Sequence, residues 1–485
     1  MQQRKFWKAL LIVGLLFHIM AALVLPIGYD TFLHASFVTD GMNDGVAHLE
    51  WGAIRSGETG STPATIEADG RWAVWHGIIT IMFSIFGSST ATLHLLGVII
   101  SALTLISVYA WTKSLYDEDM ALKLTALVAL YPPFIRATGR AYQEMWILLL
   151  VSCFFGLLLM GRRRQRSKQR WMLWLGAWCI LPLIMMTKGM PWYWSCAALL
   201  LYPIIDSEVV RVKTKPYLPL LAYVVCLVIL GNNDVSIFDF SMIEWLILGV
   251  ASLGYAWLMF VYLPMFVFDV DSKEHDLDGE GVFLRYSWHA LGWILGGWIA
   301  ALWLVETSNT NSTILETLIA YRHNPRYYSL LILPIWWAYF SEMRTPSLDR
   351  MRGLSVAVLA GILLFNVYLI NSAENPREME VFGDFIAQET DQDTTILFLH
   401  DGQFAMHEMY VLQFALDPES SEGHTAHWRS TSSAWQHELS DCSSIGASDW
   451  VITSMQDDVY DLLNWQKVDV EGAGEWVLYQ RPSSC

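Results

Sequence analysis

Charge is what this chain has least of: 16% of its 485 residues are Asp, Glu, Lys or Arg, while 54% are hydrophobic. A soluble globular domain carries about a quarter charged residues, so a single soluble domain is excluded. A basic excess is also missing. The net charge of −17 rules against nucleic acid as a partner, because an acidic surface repels phosphate. No Gly-rich loop lies on a strand–helix unit, which argues against a nucleotide ligand. Neither an internal repeat nor a low-complexity segment is visible. Cysteine is scarce, with six in all. Cys153, Cys179, Cys196 and Cys226 lie in apolar runs as small hydrophobes, and Cys442 and Cys485 form one disulfide if their compartment is oxidising.

What is present is a series of apolar runs near twenty residues long and a mean hydropathy of +0.36. These define a polytopic membrane protein. The first run, Phe6–Ile27, exceeds a secretory signal core and has no small-residue cleavage site after it, so it reads as a retained anchor. Further spans fall near 90–112, 120–135, 143–161, 171–187, 190–205, 217–231, 241–268, 287–305, 327–341 and 352–371. The short, Trp-flanked stretch Ala73–Gly87 reads as an interfacial or re-entrant helix.

The acidity is not evenly spread. Residues 373–485 hold 21 of the 47 acidic residues and four of the 30 basic ones, leaving 26 of each in 1–372. The expected architecture is therefore an all-α bundle of about eleven transmembrane helices over 1–372, with a long first outer loop at 28–73. A small acidic α/β domain follows at 373–485, with strands at Thr394–His400, Asp449–Ser454 and Glu475–Gln480 and helices at Val381–Gln388 and Ala405–Leu416.

Charge orients the bundle. Arg4, Lys5 and Lys8 keep the N-terminus cytoplasmic, and alternating spans leave 19 of the 30 cations on that side. The tail then faces the extracytoplasmic side of the cell membrane. Seven cations break the rule on the outer side: Arg55, Arg71, Arg136, Arg140, Lys188, Arg322 and Arg326. Guanidinium groups grip phosphate in a fork and Lys binds it as a point charge, so these residues would suit a lipid-linked phosphate. The plainer reading of each is an anchor that snorkels to headgroups or pairs with a carboxylate, such as Glu144 one turn after Arg140.

The first loop carries the other half of the chemistry. Asp30 emerges where the first span ends, with His34 one helical turn later and Asp40 and Asp44 beyond. One reading of Asp30 is an interfacial helix cap. The other is a general base that takes the proton of an acceptor hydroxyl. Asp30, His34, Asp40 and Asp44 could also gather a divalent cation, magnesium or manganese, although outer loops are often acidic without holding metal. No cofactor is required by any motif.

Taken in order, five segments resemble the GT-C superfamily of polytopic glycosyltransferases, in particular the protein mannosyltransferases and aminoarabinose transferases. They are IGYDTFLH, RWAVWHGIITIMFSIFG, LYPPFIRATGRAYQEMWILLL, MMTKGMPWYW and NPRYYSLLILP. The resemblance covers about residues 6–370. It implies an active site at the outer membrane face, with Asp30 as catalytic base. It further implies that Arg140, Lys188 and Arg326 hold the phosphate of a polyprenyl-phosphate-linked sugar, with Arg322, His34, Asp44 and Glu144 near the substrates. The acceptor is a protein, lipid or glycan hydroxyl, and transfer inverts the anomeric carbon. Relatives often place a second acid after the first; here that position is Thr31. A WWDYG-type motif is missing, which disfavours transfer of a whole oligosaccharide to Asn. The alternative is a transporter or flippase of a lipid-linked substrate. It predicts ionisable residues at mid-span and inverted repeats, whereas the span centres are nearly free of charge and no internal repeat is visible.

Overall fold

The computed structural model describes residues 2–43, 72–115, 117–163, 167–188, short pieces of 242–250, 353–371 and 377–389. In the C-terminal part it describes 395–399, 405–416, 418, 425–429, 449–454, 465–474 and 476–481. The helices are α1 (Gln2–Val24), α2 (Tyr29–Asn43), α3 (Ala73–Phe86), α4 (Thr90–Leu115), α5 (Glu118–Ala129) and α6 (Pro132–Gly139). They continue as α7 (Gln143–Arg163), α8 (Ser167–Thr187), α9 (Gly353–Asn371), α10 (Glu378–Glu389) and α11 (Ala405–Leu416). Strands are β1 (Thr395–Leu399), β2 (Thr425–Arg429), β3 (Trp450–Thr453), β4 (Gln466–Val468) and β5 (Val477–Gln480). The chain divides into two compact units. One comprises 1–20, 99–138 and 144–371, the other 21–98, 139–143 and 372–485.

Within the first unit α8 and α9 are apolar on all sides, as lipid requires. Among the described residues, Arg4–Val24, Thr90–Ser114 and Lys168–Thr187 are long and apolar enough to cross a bilayer. Ile12 and Leu16 on α1, and Trp171 and Leu175 on α8, leave large apolar side chains outside the packed core. Helices of this length with exposed apolar sides suit a bilayer rather than water. The core gathers Trp7, Leu10, Val108, Trp111, Leu124, Val128 and Phe134. Two glycines allow helices to touch: a Cβ on Gly14 would lie 2.6 Å from Ala129 Cβ, and one on Gly156 would lie 2.8 Å from Trp111.

The span expected over 120–135 is in fact broken. Helices α5 and α6 meet at 61°. The pair Pro132-Pro133 explains the break, since proline removes a donor and pushes the residue before it out of helix. A carbonyl freed in apolar surroundings needs a donor. Asn366 of α9, fully buried, supplies it: its Nδ2 donates to Leu130 O at 2.9 Å. Nearby, Thr138 Oγ1 lies 2.7 Å from His18 Nδ1 and 2.6 Å from Ser101 Oγ, so α1, α4 and α6 share a polar knot. Helix α5 starts on Asp117, whose Oδ1 accepts from Met120 N at 2.7 Å.

The second unit contains a five-stranded mixed sheet in the order β2-β1-β3-β5-β4. Strand β1 runs parallel to β2 and β3, while β5 runs antiparallel to β3 and β4. Ile396, Leu397, Phe398 and Leu399 are all fully buried, as expected of a central parallel strand covered on both faces. Helices α10 and α11 pack closely, because a Cβ on Gly383 would fall 2.5 Å from Ala415 Cβ. Helix α2 packs against both α11 and α3. Phe32 of α2 and Phe83 of α3 each meet Phe414 of α11, with ring centroids 5.6 Å and 6.0 Å apart.

Candidate active site

Asp30 stands in the first turn of α2, half-buried, in the second unit. The backbone before it is held tightly. Gly28 O accepts from Thr31 N at 2.9 Å and Phe32 N at 3.1 Å, and Gly28 N donates to Arg140 O at 2.9 Å. Gly28 has to be glycine, since a Cβ would lie 2.0 Å from the Tyr142 ring.

Thr31 stands where the family resemblance led a second acid to be expected, and its surroundings favour a hydroxyl. Its side chain is buried, and Oγ1 donates to Arg140 O at 3.2 Å and to Ala141 O at 3.1 Å. An ionised carboxylate has no proton to offer two carbonyls, so this site selects a hydroxyl. The next residue is strained. Ala141 is fully buried with φ +52°, the left-handed region that L residues other than Asn and Asp avoid. The segment 140–142 is thereby forced beside the start of α2.

Arg140 is the expected phosphate cation in this unit. Its Nε is buried and has no hydrogen-bond acceptor among the described residues. Tyr29 lies within its field. Burial pushes the Tyr29 hydroxyl well above the usual phenol range and the Glu408 carboxylate adds to the shift, while Arg377 and Arg140 oppose it. Tyr29 donates its hydroxyl proton to Glu408 Oε1. Burial raises Glu408 above the usual carboxylate range, with Tyr29 and Arg377 opposing.

His34 is buried and does not stand alone: its Nδ1 is 3.0 Å from His76 Nε2 on α3. One ring must donate and the other accept, so at least one is neutral. Burial holds His76 down, to about 4. Trp72 and Phe37 line the same pair, with Trp72 5.3 Å from the His34 ring and Phe37 5.9 Å from the His76 ring. Among the described residues, no three His, Cys, Asp or Glu side chains gather to hold a metal.

In the first unit Glu144 and Lys188 form an ion pair. Glu144 opens α7 and its side chain is fully buried; the Lys188 side chain, just past α8, is 19% exposed. The expected substrate residues Arg322, Arg326 and Asp44 lie outside the described residues. Sequence reasoning missed Tyr29, Arg377 and Glu408. Tyr29 adjoins Asp30 and was open to notice, whereas the other two lie hundreds of residues away without a motif.

Known proteins resemble the chain in part of its sequence and in its fold. Residues 73–232, about a third of the chain, match the family model of dolichyl-phosphate-mannose-protein mannosyltransferases. The chain is similar in fold to ArnT from Cupriavidus metallidurans. Its apo crystal structure aligns at a TM-score of 0.50 and 16% identity, over 99% of this chain and 98% of that one. The crystal structure of ArnT bound to undecaprenyl phosphate aligns at 0.47 and 12% identity, with the same coverage. No curated protein matches the chain. The chain thus matches a membrane glycosyltransferase family model over residues 73–232 and shares the fold of ArnT.

Proposed function

We propose that the chain transfers a sugar, a hexose such as mannose, from a polyprenyl-phosphate donor to an acceptor hydroxyl at the outer membrane face. Asp30 accepts the hydroxyl proton as the oxygen attacks the anomeric carbon. The bond from that carbon to the phosphate oxygen breaks, and polyprenyl phosphate leaves with the electron pair. One displacement inverts the anomeric configuration. Arg140 offsets the charge gathering on the departing phosphate, which lowers the barrier more than the ground state. Lys188, Arg322 and Arg326 are further donor-phosphate candidates, and the tail at 373–485 faces the extracytoplasmic side.

The observation that carries this reading is local. Arg140, whose buried Nε has no acceptor among the described residues, is hydrogen-bonded through its carbonyl to Gly28, two residues before Asp30. A base and an anion-binding group are thereby tied to one backbone junction. The superfamily adds support, as does ArnT, which shares the fold and has been crystallised with undecaprenyl phosphate.

The test is transfer of labelled mannose from a synthetic polyprenyl phosphate by the protein in detergent, with anomeric analysis of the product. Asp30→Asn should lower turnover by about 10²–10⁴-fold, the usual worth of a general base. Arg140→Gln should lower the maximal rate and raise donor KM. An inactive wild type given a panel of acceptors, or a fully active Asp30→Asn, would reject the mechanism.

A further inference from the structure

The acidic tail has four cations among its 113 residues, and one of them is spent on the first loop. Arg377 Nε and Nη2 both donate to Ile27 O, at 3.1 Å and 3.0 Å. The same guanidinium lies over the Tyr29 ring, 3.8 Å from its centroid. Tyr29 in turn gives its hydroxyl proton to Glu408 of α11. Two side chains of the tail therefore grip the residues on either side of Gly28, and the next residue after Tyr29 is Asp30.

The grip is itself braced. Arg377 precedes α10, its N–H donates to Glu380 Oε2 at 3.0 Å, and Glu380 N donates back to Arg377 O at 3.0 Å. Such reciprocal bonding fixes the backbone from which the guanidinium reaches out. Glu408 is braced by its helix, where the neighbouring Met409, Tyr410, Val411 and Leu412 are buried. A carboxylate screened from water makes a strong bond to a phenol, and the bond fixes the direction of the ring. On the other flank, Thr31 is held by Arg140 O and Ala141 O. Asp30 is thus bracketed by restrained neighbours. One bracket belongs to the tail and the other to the segment 140–141.

A structural brace alone would not need this chemistry. Phe32–Phe414 packing already joins α2 to α11 through apolar contact. The polar grip sits instead at the one turn that aims the carboxylate. We propose that Tyr29, Arg377 and Glu408 are positioning residues: a clasp by which the C-terminal tail holds the Asp30 carboxylate in line with the acceptor hydroxyl. This rests on the reading of Asp30 as the base, and it gives the tail a part in turnover rather than in donor binding.

The experiment measures kcat, donor KM and thermal unfolding in detergent for full-length Tyr29→Phe, Glu408→Gln, Arg377→Lys, Arg377→Ala and Asp30→Asn. Tyr29→Phe keeps the ring and its stacking and loses one hydroxyl. It should lower kcat by about tenfold with donor KM within about twofold, as expected for a misdirected reacting group. Glu408→Gln should match it, and the double variant should be no worse than the poorer single, because both remove one bond. Arg377→Ala should lose about a hundredfold in kcat, and Arg377→Lys should recover part of it by restoring the cation over the ring. Wild-type kcat in Tyr29→Phe and Glu408→Gln, with Asp30→Asn inactive, overturns the clasp and leaves the base in place. Parallel losses in kcat and unfolding temperature across the set also overturn it, by making the contacts structural. A fully active Asp30→Asn fails the base reading instead, and the clasp with it.

Discussion

Two carboxylates, the fully buried Glu144 in one unit and the half-buried Glu408 in the other, are satisfied in opposite ways. Glu144 meets Lys188, and the two charges cancel. Glu408 meets the neutral hydroxyl of Tyr29, while the cation nearby, Arg377, is directed to a carbonyl oxygen and an aromatic face. Pairing of the first kind neutralises charge inside an apolar bundle, where an isolated ion is very unfavourable. Pairing of the second kind leaves formal charges uncancelled and uses them to hold backbone at one turn. Charge thus serves solvation in the first unit and geometry in the second.

The largest effect should come from breaking the first pair. Lys188→Met removes the cation beside a fully buried Glu144 and should destabilise the protein by about 3–5 kcal/mol in thermal unfolding. Glu144→Leu together with Lys188→Met should restore most of that loss. If Lys188 also grips the donor phosphate, the double variant will be stable yet retain a raised donor KM, which separates the two duties of the lysine.

A smaller effect sharpens the account of the second unit. Thr31→Val keeps the shape and removes the proton shared by two carbonyls. It should cost about 1–2 kcal/mol in unfolding free energy, and Thr31→Ser should be close to wild type. Thr31→Asp should be worse than Val because its carboxylate would face Arg140 O and Ala141 O. A stable, active Thr31→Asp would contradict that explanation.

Smaller still is the strain at residue 141. Ala141→Gly relieves a left-handed backbone worth about 1–2 kcal/mol for an L residue, partly offset by greater freedom of the unfolded chain. The net gain should be about 0.5 kcal/mol, whereas Ala141→Val should be clearly destabilising because it is β-branched. The least effect concerns the histidine pair. His76 is held at about 4, below its ordinary 6.5, so the folded protein binds fewer protons than the unfolded chain. Its stabilising part is whole above about pH 6.5 and is lost as pH falls towards 4. Burial raises Glu380, Asp384 and Glu408, which acts in the opposite sense. The difference between wild type and His76→Asn isolates the histidine: their unfolding temperatures should converge from pH 7 to pH 5.

How much of this could be read from the chain follows from range. Apolar runs name the spans because lipid demands length and hydrophobicity from each helix separately, and α1, α4, α7, α8 and α9 lie where those runs do. The strand signal in TTILFLH is equally local and corresponds to β1. The break between α5 and α6 was present in Pro132-Pro133, but hydropathy runs across it without a dip, and its partner Asn366 is 236 residues away. Strand β2 carries His and Arg in TAHWR and looks like surface; only its parallel pairing with β1 makes it a strand. Asp30 could be singled out because it follows a span, and Arg140 because it defies the charge rule. Arg377 and Glu408 could not, since their significance comes from Ile27 and Tyr29, over 300 residues distant. Thr31 gave no sign in the sequence of the two carbonyls that its hydroxyl meets.

The central claim is that Asp30 removes the acceptor proton while the donor is held by other groups. Single-turnover transfer with labelled polyprenyl-phosphate sugar already bound tests it most directly. Asp30→Asn should bind the donor with wild-type affinity and transfer the sugar about a thousandfold more slowly. Equal rates of transfer in the two proteins, with equal donor binding, would contradict it.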